Sequence, residues 1–238
     1  MIYFLLFSVV ILSGLSVFLL KSANPKKIKL LLSFSGAYLL SVSLLGLIPE
    51  IYRSSTTNNY IGLFILLGFF IQIMLEYFSK GIEHGHIHLH ENHHHAFPVA
   101  VVASLCTHSF LEGMPLATIV SNKDYYNQLL IGIILHNIPI SFVLMALLID
   151  VSGKRKALMW LIIFALMLPL GATVNFFFAE RIVSEIINYN QIILAIVVGI
   201  FLHISTTILF ESSENHRFNF YKFLSILFGA GLALINLR

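Results

Sequence analysis

Charge is what this sequence has least of: only 11% of its 238 residues are Asp, Glu, Lys or Arg, against roughly 25% in a soluble domain whose surface must face water. With 58% hydrophobic residues and a mean hydropathy of +0.90, most of the surface must face something other than water. A single cysteine, Cys106, excludes an intrachain disulfide and says little about redox compartment. The net charge of +3 does not point to nucleic acid, because lysine and arginine sit at the edges of apolar runs, where lipid head groups lie. Also missing are an HExxH helix and a paired Glu-Glu with a downstream HxxxN, the signatures of two classes of metal-dependent membrane hydrolase.

What is present is a series of apolar runs of membrane-crossing length, bounded by short polar segments. They are approximately Ile2–Leu20, Leu30–Ile51, Tyr60–Phe78, Phe97–Val120, Asn127–Ile149, Ala157–Ala179, Gln191–Phe210 and Phe218–Asn236. A helix of about 20 residues spans a hydrocarbon core of ~30 Å, and in lipid such runs must be helical because every backbone polar group has to be paired internally. The first run has no basic segment before it, its lysines (Lys21, Lys26, Lys27) follow it, and no small-x-small site ends it. It reads as a membrane helix and not a signal peptide. The expected fold is therefore all-α: an integral membrane bundle of eight transmembrane helices, residues 1–238 forming one domain.

Orientation follows from the basic residues. Lys21, Lys26, Lys27, Lys29, Lys80, Lys154, Arg155, Lys156, Arg217 and Lys222 lie on the odd-numbered connections, and Arg53, Lys123, Arg181 and Arg238 on the opposite side. The positive-inside rule places the odd connections, including the 80–96 loop, in the cytoplasm and both termini outside. Small residues inside the runs (Ser33, Gly36, Ser41, Ser43, Gly46, Gly229, Gly231) are read as close-packing positions.

Chemistry concentrates in two runs. His108 and Glu112 are four residues apart near the centre of the fourth, so they share one helical face. A carboxylate at that depth costs ~3 kcal/mol even on insertion scales and needs a partner. Imidazole plus carboxylate supplies two corners of a site for zinc or its first-row neighbours; the alternative is a His–Glu hydrogen bond that only ties helices together. Near the centre of the fifth run stand His136, Asn137 and Pro139. His136 and Asn137 offer a nitrogen and an oxygen, and Pro139 predicts a bend with a partly unwound turn that frees carbonyls. His203, in the seventh run, is read either as a transient ligand or as a hydrogen-bonding partner of another helix. Glu76, near the end of the third, is expected to be solvated. The third connection holds His84, His86, His88, His90, His93, His94 and His95, a tract whose composition reads as metal capture with weak, rapidly exchanging binding.

The pattern His108–Ser109–x–x–Glu112–Gly113, followed by His136–Asn137–x–Pro139, resembles the ZIP family of zinc and iron transporters. Pro49–Glu50 resembles the family's ending of helix two, and Glu211 is a looser counterpart on helix seven. The resemblance implies eight helices with inverted repeats, outward termini, frequently a homodimer, and no catalytic cofactor. It implies a divalent cargo, foremost Zn2+, with Fe2+, Mn2+ or Cd2+ as others, carried into the cytoplasm. The implied metal residues are His108, Glu112, His136, Asn137 and Ser109, with Glu50 and Glu211 as lesser ones beside the His203 read above from its place in the seventh run. Two departures stand out: Ile140 where the family often has Glu or His, and Leu168 before Pro169 where it often has Glu. In the family these positions help build a second metal position, so a transport-impaired sensor or paralogue is one alternative. An intramembrane metal-dependent hydrolase is the other; it would need a general base beyond the three ligands.

Overall fold

The computed structural model describes residues 2–19, 25–54, 60–79, 81–82, 98–117, 123–182, 189–211 and 219–236. Among these the chain is helical almost throughout, with no strand. The helices are α1 (Ile2–Leu15), α2 (Pro25–Val42), α3 (Ile48–Ser54), α4 (Ile61–Ser79), α5 (Val99–Gly113), α6 (Lys123–Ile182), α7 (Tyr189–Glu211) and α8 (Phe220–Asn236). A five-residue π-helical segment, Ser43–Leu47, joins α2 to α3 in one continuous helical stretch, and a 3₁₀ turn, Met114–Ala117, extends α5. Five stretches are long and apolar enough to cross a membrane: Pro25–Arg53, Ile61–Ser79, Val99–Ala117, Tyr125–Ala179 and Tyr189–Phe210. Ile2–Phe18 and Phe220–Ile235 are apolar but shorter. The outside of the bundle is apolar too. Leu63, Phe70 and Tyr77, seven residues apart along α4, are all more than half exposed, a stripe a water-soluble protein would not leave open.

The sixty residues of α6 are not one rod. Gly153 takes φ 76° and ψ 162°, a backbone region that side-chain-bearing residues rarely occupy, and the chain folds back there. Ile140, Val143, Leu144 and Leu148 before the glycine share one buried cluster with Ala157, Leu161, Phe164 and Ala165 after it. Lys154, at the turn, lies over the ring of Phe18 beyond the end of α1.

Two helix pairs are in reciprocal backbone contact, with a glycine on each side, and a third pair makes the contact from one side only. A Cβ on Gly68 of α4 would fall 1.9 Å from the Ile196 carbonyl oxygen, and one on Gly199 of α7 1.9 Å from that of Ile65. The contact is reciprocal. The same holds between α5 and the second half of α6, where a Cβ on Gly113 would meet Leu168 O at 2.1 Å and one on Gly171 would meet Phe110 O at 1.9 Å. Without hydrophobic drive inside lipid, such close approach supplies the dispersion contacts that hold helices together. Gly229, read from sequence as a packing position, behaves this way against Phe34 of α2. Gly231 does not: nothing lies within 4 Å of where its Cβ would be.

The partly unwound turn expected at Pro139 is absent. Within α6 only Gly153 departs from helical backbone angles. Ser13 of α1 donates to Ile138 O and Ser141 donates to Asn137 O, whereas the carbonyl that Pro139 deprives of its N–H is that of Leu135, four residues before it. Packed membrane helices tolerate a proline with small local adjustments, so the helix need not open.

Candidate metal centre

The polar heart of the bundle lies where α5 meets the first half of α6 and the middle of α4. Helical spacing on α5 turns His108 and Glu112 to the same side, and both are buried. α6 brings His136 and Asn137 against them, also buried. His108 Nε2 lies 3.2 Å from Glu112 Oε1. The His108 and His136 rings meet edge to face with centroids 5.9 Å apart and planes at 79°. One donor atom from each of His108, Glu112 and His136 can be chosen so that all lie within 4.8 Å of one another. Among the described residues this is the group of histidine, cysteine and carboxylate side chains arranged to hold a metal ion.

The spacing fits a small dication. With ligand bonds of about 2.0–2.2 Å, two donors at adjacent corners of a tetrahedron are separated by roughly 3.3 Å. His108 Nε2 and Glu112 Oε1 already have that separation. His136 stands within reach as a third corner, its donor atom within 4.8 Å of the other two.

Two amides hold the centre from behind. Asn137 Nδ2 donates to Glu112 Oε2 at 3.0 Å and to the Ile133 carbonyl at 3.0 Å, fixing the carboxylate so that Oε1 faces His108. The Asn137 Oδ1 atom is buried without a hydrogen-bond partner, which leaves it as an oxygen donor near the group. Gln72 of α4 places Oε1 3.0 Å from His108 Nδ1. Sequence reading missed this residue. Its one signal was an amide in the apolar run Ile61–Ser79, one helical turn before Glu76.

Other expected residues stand elsewhere. Ser109 is buried beside His108 in the chain, its hydroxyl without a hydrogen-bond partner. Glu50 is buried but forms an ion pair with Arg53, one turn on, and is not part of the group. His203 bonds Glu76 across the α7–α4 contact, with its ring against Phe69 at 4.9 Å. Of the two roles weighed for His203, the interhelical bond is the one this geometry contains. Glu76, expected to be solvated, is held by that bond because α7 packs directly on its side of α4. Ile140 is buried among Val143, Leu144 and Phe164, and Leu168 lies buried in a second apolar cluster, so neither position brings a ligand atom. The Glu211 side chain and His84, His86, His88, His90, His93, His94 and His95 lie outside the described residues.

A family model described as ZIP zinc transporter matches residues 83–236, well over half of the chain. No curated protein sequence matches it significantly.

Proposed function

Because the chain belongs to the ZIP zinc transporter family, and so is a multi-pass membrane transporter of divalent metal ions, we propose that its cargo is zinc, carried toward the cytoplasm through the His108–Glu112–His136 group. The observation that carries this reading is the 3.2 Å between His108 Nε2 and Glu112 Oε1, the edge of a tetrahedral zinc site. Glu112 supplies the negative charge a dehydrated dication needs in a low-dielectric interior. Asn137 and Ser109 offer further oxygens, and Ile133 anchors Asn137. Nitrogen and carboxylate donors also suit iron, manganese and cadmium, so selectivity is set by geometry and availability. The site opens alternately to each face, as expected of a carrier with a mid-membrane site between helices.

The test is zinc entry into proteoliposomes containing a zinc-responsive dye. Saturable entry well above that of protein-free vesicles is expected. Entry no faster than in empty vesicles, with zinc still bound by the purified protein, would replace this reading with the transport-impaired sensor that Ile140 and Leu168 favour. The hydrolase alternative has less support, since the group contains one carboxylate and that carboxylate is spoken for as a ligand.

The accompanying topology has eight crossings, with the two halves of α6 counted separately and the halves of the bundle related as inverted repeats. It puts both termini outside and the 80–96 histidine loop in the cytoplasm, in a cell membrane, where the loop captures or releases metal. A single cysteine at Asn58 in a Cys106→Ser background should react with an impermeant thiol reagent in intact cells, and one at Asn92 should not. The reverse pattern would invert the orientation. Assembly as a homodimer is the family expectation, and the mass of the solubilised complex decides it.

A further inference from the structure

Gln72 has no part in the ligand set, yet it touches the ligand that most needs orienting. A histidine can bind metal through either ring nitrogen, and the hydrogen bond made by the other nitrogen selects which. His108 Nε2 faces Glu112 Oε1, so Nε2 is the atom placed where it and the carboxylate can share one dication. Nδ1 faces Gln72 Oε1 at 3.0 Å. An amide oxygen can only accept, so in this arrangement Nδ1 carries the hydrogen and Nε2 is the position left for metal. Both side chains are fully buried, Gln72 at 0% and His108 at 1% relative exposure, so water does not readily substitute for the lost acceptor. Gln72 also sits on a different helix from every ligand. α4 carries it between Gly68, where the backbone is pressed against α7, and Glu76, which is bonded to His203 of α7. The amide is thus mounted on a braced helix and reaches across to α5, alongside the bond from Ser104 to the Leu75 carbonyl.

We propose that Gln72 is a positioning residue for metal recognition: its amide oxygen accepts the Nδ1–H of His108, fixes the ring's tautomer and rotation, and thereby presents Nε2 to the dication beside Glu112. The inference rests on the reading of His108 as a ligand. Its chemistry separates two substitutions that are alike in size. Gln72→Glu keeps an acceptor oxygen in place; Gln72→Leu removes it while retaining bulk and apolar fit.

The experiment uses the purified full chain in lipid nanodiscs. Zinc affinity is measured calorimetrically for the parent, Gln72→Leu, Gln72→Glu and His108→Ala, and ¹⁵N-histidine spectra are recorded of the zinc-loaded parent and Gln72→Leu. Removing such a partner typically costs 10–100-fold in metal affinity, so Gln72→Leu should bind zinc about 10–100-fold more weakly and Gln72→Glu within a few-fold of the parent. The zinc-loaded parent should show His108 protonated at Nδ1 and metal-bound at Nε2, with that signature lost or mixed in Gln72→Leu. Parent-like affinity in a folded Gln72→Leu, or a His108 bound through Nδ1 in the parent, overturns the proposal. Should Gln72→Leu not fold, the parent spectrum and the folded Gln72→Glu still decide it: Nδ1 coordination, or a Gln72→Glu affinity as poor as that of His108→Ala, refutes it. If His108→Ala binds zinc as tightly as the parent, the ligand assignment itself has failed, which is distinct from a failure of Gln72 alone.

Discussion

Glu112→Ala should reduce zinc entry by about 100-fold or more, to near the level of empty vesicles. Removing one partner of a buried charged group costs about 3–5 kcal/mol, which corresponds to roughly 10²–10⁴ in an equilibrium constant. Here the loss is of two kinds. The dication loses a ligand oxygen, and the remaining donors, His108 and His136, bring no negative charge to the site. Asn137 is also left with a donor facing a void where Oε2 had accepted it. His108→Ala and His136→Ala should each be nearly as damaging, but for the simpler reason that a ligand is gone. Wild-type entry in a correctly inserted Glu112→Ala would mean that the carboxylate only ties α5 to α6.

The second large effect concerns the number of ions in the core. Two dications about 4 Å apart repel by on the order of 15 kcal/mol even at an effective dielectric constant near 20. A single carboxylate in the group does not offset that. The position one turn after His136 is Ile140, packed in an apolar cluster with Leu144 and Phe164. The parent should therefore hold one zinc per chain in the membrane core, and Ile140→Glu should raise this to about two, its new carboxylate accompanied by a second dication. Anomalous scattering at the zinc edge counts the ions directly. Two strong core peaks in the parent would sink the single-ion view, and none would favour a chain that no longer carries metal.

Much of this centre was legible because it is local. His108 and Glu112 declare themselves by a four-residue spacing inside an apolar run, where a carboxylate has no business without a partner, and Asn137 follows His136 directly. The rest depends on which helices touch. Gln72 is a single amide whose meaning comes from α5, 36 residues on. Glu76 reads as a solvated end residue until α7 places His203 against it, 127 residues away. The proline shows the limit from the other side. Local chemistry argues for an opened turn at Pro139, yet α6 is packed between α1 and α5 there and keeps helical backbone angles. The turn of Gly153 fits the sequence boundary between Asn127–Ile149 and Ala157–Ala179, because the intervening polar residues and the glycine both argue against a continuous span.

The bond from Asn137 to Glu112 also bears on how the chain is made. Of the five stretches long and apolar enough to cross, Val99–Ala117 is the least hydrophobic, and it carries His108 and Glu112. Leaving the ribosome alone, that helix would be a reluctant guest of the translocon, with a central acid costing ~3 kcal/mol on insertion scales. Its relief arrives 25 residues later, when Asn137 can donate to the carboxylate. The two helices are then best admitted to lipid as a pair, and a nascent chain halted after residue 117 should integrate less completely than one halted after residue 150. Glu112→Leu should erase the difference. Equal integration of the two parent lengths would show that the acid enters unaided, and that the asparagine serves only the finished protein.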